Sequence, residues 1–228
     1  NTNWVKLNLS KTMILKSFVV EKNIALLEKY FISLIYGENI GLKDDIKNAI
    51  KVNFKNYEKI SFNQSEIVKN DKILEEQINN TSLFSKKKII FINEISDKIK
   101  NGIVNIAENP NSDIRIFLFG QNLEKKSSTR QFFEKEKKLG IVACYQDNER
   151  TLSEYLKKKL PGFLGLSQQV INFLISNSGL DRKTLSYEID KIKSLFLDKK
   201  IIFEKLLEVL NNANNVDFNN LRDACFGA

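Results

Sequence analysis

Residues 32–52 read ISLIYGENIGLKDDIKNAIKV. Five mostly apolar residues, Ile32–Tyr36, run without the polar alternation of a half-exposed strand and stop at Gly37. From about Leu42 to Val52 the apolar positions recur at helical spacing. A buried strand, a glycine turn and a helix in that order form the first half of a βαβ unit, and the pattern repeats downstream. Lys88–Ile92, Ile114–Phe119 and Ile141–Tyr145 read as further buried strands, and Lys59–Phe62 as a weaker one. Helical periodicity fills the intervals at 71–79, 97–108 and 128–138. Continuous apolar strands separated by helices predict a parallel sheet covered on both faces, with right-handed crossovers.

After Arg150 the strand signals cease. Thr151–Leu160 reads as a helix with Thr151 as N-cap and Glu154 three residues on, the spacing of a capping box. Pro161-Gly162 ends it, and amphipathic helices follow at 166–176, 181–196 and 203–212. The asparagine-rich 211–215 reads as a linker. The expected plan is an α/β domain over 13–150, a small all-helical domain over 151–212, and the start of a third, truncated helical domain over 213–228. Met13 is the only methionine, so residues 1–12 read as upstream of the natural start.

Composition excludes much chemistry. The 228 residues hold no histidine, which removes Ser-His-Asp and Cys-His catalysis and every His-ligated metal site. Cys144 and Cys225 are too far apart for a zinc ribbon, and Cys144 reads as a buried strand residue. Neither catalytic residues, a metal nor a cofactor is expected. No apolar run approaches the roughly 18 residues that span a bilayer, and no secretory signal is present, so the chain reads as cytoplasmic, away from membranes. The net charge of +8 raises nucleic acid as a partner. However, 31 of 36 basic residues are lysine and only five arginine, a bias shared with the 27 asparagines, so a solvated lysine-rich surface accounts for it.

The turn after the first buried strand is where a phosphate-binding loop would sit. GxxxxGK[ST] supplies backbone amides, a lysine for the β/γ-phosphates and a hydroxyl for Mg²⁺. Here Gly37 and Gly41 stand one residue too close, Leu42 follows where lysine belongs, and Asp44 takes the hydroxyl position, where it repels phosphate. The companion acidic pair at the end of a neighbouring strand is also altered: 88–94 ends in Asn93-Glu94 where a hydrolase carries two acids. Gly37, Gly41, Lys43, Asp44, Asn93 and Glu94 together read as a nucleotide site that has lost its catalysis.

These residues carry a family resemblance. YGENIGLKDD, TSLFSKKKIIFI, NLEKKSSTRQFFEK and SGLDRKTLSYEIDKIKSLF follow one another in the order and spacing of the delta subunit of bacterial DNA polymerase III, the clamp-loader wrench. That family belongs to the AAA+ superfamily but lacks ATPase activity. Gly41 departs from it, standing where an aromatic is usual, while Gly179, Asp181, Leu185, Glu188 and Lys191 match its lid helix. The resemblance covers nearly all of the chain from Met13.

It implies an AAA+-type parallel sheet with flanking helices followed by a helical lid. The implied function is binding the beta sliding clamp and opening one of its interfaces for loading on DNA. It also implies gamma/tau- and delta prime-type subunits and primer–template DNA as partners. Ser82, Leu83 and Phe84 match the clamp-binding segment, with the two apolar side chains as anchors. Read from the residues alone, Leu83 and Phe84 equally suit docking of the preceding helix onto the sheet. Two other readings stay open: an active AAA+ or P-loop NTPase with a divergent loop, and an independent nucleic-acid-binding module. Ser127–Arg130 superficially resembles an arginine-finger segment but is better read as helix N-cap chemistry.

Overall fold

The computed structural model describes residues 14–70, 72–79 and 87–210. Contacts divide the chain into two compact units, Asn1–Tyr145 and Gln146–Ala228.

In the first unit, β1 (Leu15–Lys16), α1 (Ser17–Lys22) and a 3-10 turn (Ile24–Lys29) lead into β2 (Ile32–Tyr36) and α2 (Ile40–Asn53). β3 (Glu58–Asn63), α3 (Gln64–Lys69), α4 (Lys72–Asn79) and β4 (Lys88–Ile95) follow. A second 3-10 turn (Asp97–Ile99) opens α5 (Lys100–Glu108), and β5 (Ile114–Gly120), α6 (Ser128–Lys135) and β6 (Gly140–Ala143) complete the unit. The strands form one six-stranded sheet in the order β1-β6-β2-β5-β4-β3, with every pairing parallel. This is the α/β sheet with flanking helices expected from the sequence. The short β1 and helices α1 and α3 were not legible there.

Strand pleating sorts the core into two layers. Ile32, Leu34 and Tyr36 of β2 join Ile90 and Ile92 of β4 and Ile116 and Leu118 of β5 on one face. There they meet Ile67, Leu74, Ile103, Ile106 and Phe133 from α3, α4, α5 and α6. Ile35, Phe91 and Phe117 point the other way, onto Val20 of α1 and Leu42, Ile46 and Ile50 of α2. Both faces are covered, which is why β2 is buried at all five positions and its sequence does not alternate.

The second unit holds α7 (Glu149–Lys159), α8 (Gln168–Asn177), α9 (Arg182–Leu195) and a last helical stretch at 203–210. Leu152, Leu156, Leu174, Leu185, Ile189, Ile192 and Leu206 form its core. One expectation is corrected: Thr151 is not the N-cap of α7. The cap is Asn148, whose Oδ1 accepts from Thr151 N at 2.9 Å, while Asn148 N donates to Thr151 Oγ1 at 3.0 Å. Thr151 thus occupies the third helical position of a capping box that starts three residues earlier.

Lys199 adopts a left-handed φ of 59° on an exposed loop. An L side chain there costs on the order of 1 kcal/mol that glycine does not. The freedom glycine adds to the unfolded chain offsets part of this, so Lys199→Gly is expected to stabilise the second unit by about 0.5 kcal/mol, read as a small rise in melting temperature; a lower midpoint contradicts this.

Candidate functional site

In open parallel sheets, ligands bind beyond the carboxyl ends of the strands where the strand order reverses. Here that point lies after β2, between β5 and β6, and it is where the glycine turn sits. Gly37 has φ 135°, and a Cβ there would lie 2.1 Å from the Cys144 carbonyl oxygen, so only glycine fits.

The amides that would cradle phosphate are already engaged. Gly37 N donates to Gln121 O at 3.0 Å and Asn39 N to Cys144 O at 3.2 Å. Asn39 is buried and caps α2: its Oδ1 accepts from Leu42 N at 2.9 Å, and its Nδ2 donates to Tyr145 O at 3.0 Å. An asparagine side chain thus occupies the helix start, the position a phosphate would need. Gly41 is buried in the first turn of α2.

The cations are committed as well. Lys43 Nζ donates to Gly120 O, at the end of β5, at 2.9 Å. Burial lowers its ammonium below the usual lysine range, a shift that Cys144 and Asp44 oppose. One turn on, Lys47 Nζ donates to Asn93 Oδ1 at 2.7 Å and lies over the rings of Phe91 and Phe119 at 5.5 and 5.2 Å. It too is lowered by burial, opposed by Asp44. Asn93 Nδ2 reaches Ser61 Oγ at 3.2 Å and Phe62 O at 3.1 Å, so its amide joins α2 to β3 and β4.

Glu94 goes elsewhere. The β4–β5 register shifts between Ile92 and Ile95, and Glu94, with φ 59°, is turned outward at this irregularity. Of the six residues singled out in the sequence, Lys43 is drawn onto the β5 end and Asn93 onto α2, while Glu94 is diverted to solvent. Lys47, which ties Asn93 down, was not singled out. Its i,i+4 spacing from Lys43 was the available signal.

Ser127 accepts from Arg130 N at 3.2 Å, so the hydroxyl reading of Ser127–Arg130 as cap chemistry is met. Arg130 is buried, donating to Glu134 at 2.7 Å and to Leu123 O at 2.9 Å, with its guanidinium 5.1 Å from the Tyr36 ring centroid. Asp97 accepts from Ser127 Oγ at 2.6 Å and Thr129 N at 2.9 Å, and these bonds hold its carboxyl below the ordinary range. Cys144 is buried just past β6. Ser82, Leu83 and Phe84 lie outside the described residues, as do residues 1–13 and 211–228 with the linker and third-domain expectations.

The probable DNA polymerase III subunit delta of Rickettsia prowazekii (strain Madrid E) is 25% identical to this chain over 146 residues, 63% of this chain and 45% of that protein. The solved DNA clamp loader delta protein (YqeN) of Bacillus subtilis superposes with a TM-score of 0.55 at 12% identity, over 85% of this chain and 62% of that one. The chain resembles clamp-loader delta subunits in sequence and shares their fold. It spans less than half the length of the curated relative. Domain III of the Thermotoga maritima replication initiation protein DnaA also overlaps, with a TM-score of 0.46 at 17% identity, over 86% of this chain and 88% of that one. No protein-family model matches. Among the described residues, no helix is long and apolar enough to cross a membrane.

Proposed function

We propose that this chain is a clamp-loader subunit of the delta type: it grips the beta sliding clamp through Leu83 and Phe84, with Ser82 before them, and favours an open clamp interface. Binding free energy is then used to select a strained conformation of the clamp. ATP acts in partner subunits of the gamma/tau and delta prime types. Primer–template DNA is met within the assembled complex, in the cytoplasm and at the nucleoid. The chain itself contributes no catalysis to the polymerase holoenzyme. Its AAA+-type sheet is kept as a scaffold, with Gly37, Gly41, Lys43, Asp44, Asn93 and Glu94 as the remnant of a nucleotide site.

The observation that carries this reading is the similarity in sequence to a delta subunit, 25% identical over 146 residues. The internally bonded crevice supports the scaffold role, since Asn39, Lys43 and Lys47 spend on the protein the groups that ATP would need.

The direct test is binding of the chain to the cognate beta clamp without nucleotide, by surface plasmon resonance or calorimetry. Saturable binding without ATP is expected; its absence overturns the reading. The crevice has its own test. Millimolar Mg-ATP is expected to move the melting temperature by less than about 1 °C. A nucleotide bound with micromolar affinity would instead add about 4 kcal/mol, and a shift of that size, abolished by Lys43→Ala, would make the chain a divergent NTPase.

A further inference from the structure

The second unit carries three exposed aliphatic side chains on two loops that are fastened together. Leu164 follows α7 and is 64% exposed, while Leu197 and Ile202 flank the turn after α9 at 84% and 55%. Leu164 N donates to Lys199 O at 2.8 Å and Ile201 N donates to Leu164 O at 2.9 Å, forming a parallel bridge between the loops. Gly165 permits the approach: a Cβ there would lie 2.3 Å from the Ile201 carbonyl oxygen. Lys199 N donates back to Phe196 O at 2.9 Å, which closes the turn that carries Leu197.

Large aliphatics at loop tips cost solubility, and here the loops that carry them are tied to each other by backbone hydrogen bonds. Such rigidity lowers the ordering cost of binding a partner. Charge then selects among partners. Lys199 and Lys200 are exposed within the same turn, and exposed Lys157 and Lys158 lie in the last turn of α7, ahead of the loop of Leu164. Asp198 and Glu204 are the acids adjoining the same turn in sequence.

We propose that these two loops form a docking surface for an acidic segment of a partner protein, one that offers two or three apolar side chains flanked by carboxylates. Aliphatic anchors favour a protein over a phosphate backbone, which calls for arginine and stacking aromatics. Neither loop, 160–167 or 196–203, carries the Trp or Tyr that anchors a side chain at a lipid headgroup. This surface goes beyond clamp binding and involves neither Leu83 nor Phe84.

The test uses the whole chain and a fluorescein-labelled peptide of about a dozen residues in which leucines form one helical face and glutamates the other. Anisotropy is expected to show saturable binding that weakens with salt. Leu197→Ser/Ile202→Ser is expected to weaken it by roughly tenfold or more while leaving the melting temperature in place, because both side chains are exposed. Lys199→Glu/Lys200→Glu should weaken it as well, and Leu83→Ala/Phe84→Ala should not. The proposal is overturned by no binding, by equal binding of the Leu197/Ile202 or the Lys199/Lys200 variant, by equal binding of a peptide with lysine in place of glutamate, or by self-association that the Leu197/Ile202 variant abolishes. Binding to phosphatidylserine vesicles but not to the peptide would overturn it in favour of a membrane surface.

Discussion

The double substitution Leu83→Ala/Phe84→Ala is expected to weaken binding to the beta sliding clamp by roughly 10² to 10⁴. Fully burying a leucine or a phenylalanine contributes about 1.5–3 kcal/mol each. At about 1.4 kcal/mol per decade, the pair accounts for the range given. Adjacent apolar anchors entering one pocket are the usual form of an interface hot spot, so the loss should fall on the dissociation rate more than on association.

The competing reading, in which the pair docks the preceding helix onto the sheet, makes a different prediction. Truncating two core side chains would cost several kcal/mol of stability and lower the melting temperature with it. Clamp affinity and thermal unfolding measured on one preparation therefore separate the two. Lost binding at an unchanged midpoint supports the anchors. Unchanged binding, or binding lost only in step with unfolding, removes them.

Arg182→Ala is expected to destabilise the helical unit by about 3–5 kcal/mol. Arg182 Nε donates to Asp147 Oδ2 at 2.7 Å and Nη2 to Asp147 Oδ1 at 2.8 Å, and both side chains are only 4% exposed. The guanidinium carbon lies 4.6 Å from the Tyr155 ring centroid, and Thr151 Oγ1 donates to the same Asp147 Oδ1 at 2.7 Å. One forked pair thus fastens the residue before the α7 cap to the first residue of α9.

Deleting the cation strands a buried carboxylate, and that penalty sets the size of the effect rather than the net worth of the pair. Arg182→Lys should rescue only part of it, because a lysine cannot make both bonds or stack on Tyr155. Replacing both partners by apolar residues, Arg182→Met with Asp147→Leu, should cost far less than either single change. Urea unfolding of the parent and the five variants checks this. A loss below about 1 kcal/mol for Arg182→Ala would mean that water solvates the stranded acid.

Such pairs explain why parts of this protein were legible in the sequence and others not. β2, β4 and β5 are continuous apolar runs because both faces of the sheet are covered, and a run of that kind is visible residue by residue. The departure of the glycine turn from the phosphate-loop pattern was visible through the spacing of Gly37 and Gly41. What occupies the loop was not. Asn39 caps its own helix, a local event, but its amide reaches Tyr145, 106 residues on. Lys47 meets Asn93 across 46 residues. The start of α7 was misplaced for a related reason. Thr151-x-x-Glu154 and Asn148-x-x-Thr151 are both credible capping boxes, and nothing local ranks them. Asp147, held by Arg182 from another helix, sits beside the cap that forms.

The amino-acid sequence by itself determined the parallel α/β sheet, the change to helices after Arg150, the absence of histidine chemistry and the resemblance to clamp-loader delta subunits. Each rests on short-range periodicity or on residue type, which a linear reading contains. Only the tertiary structure decided where Asn39, Lys43 and Lys47 spend their hydrogen bonds, that Glu94 turns outward, and that Asp147 and Arg182 pair. Those outcomes depend on which distant groups the fold brings within about 3 Å, and sequence separation carries no record of that distance.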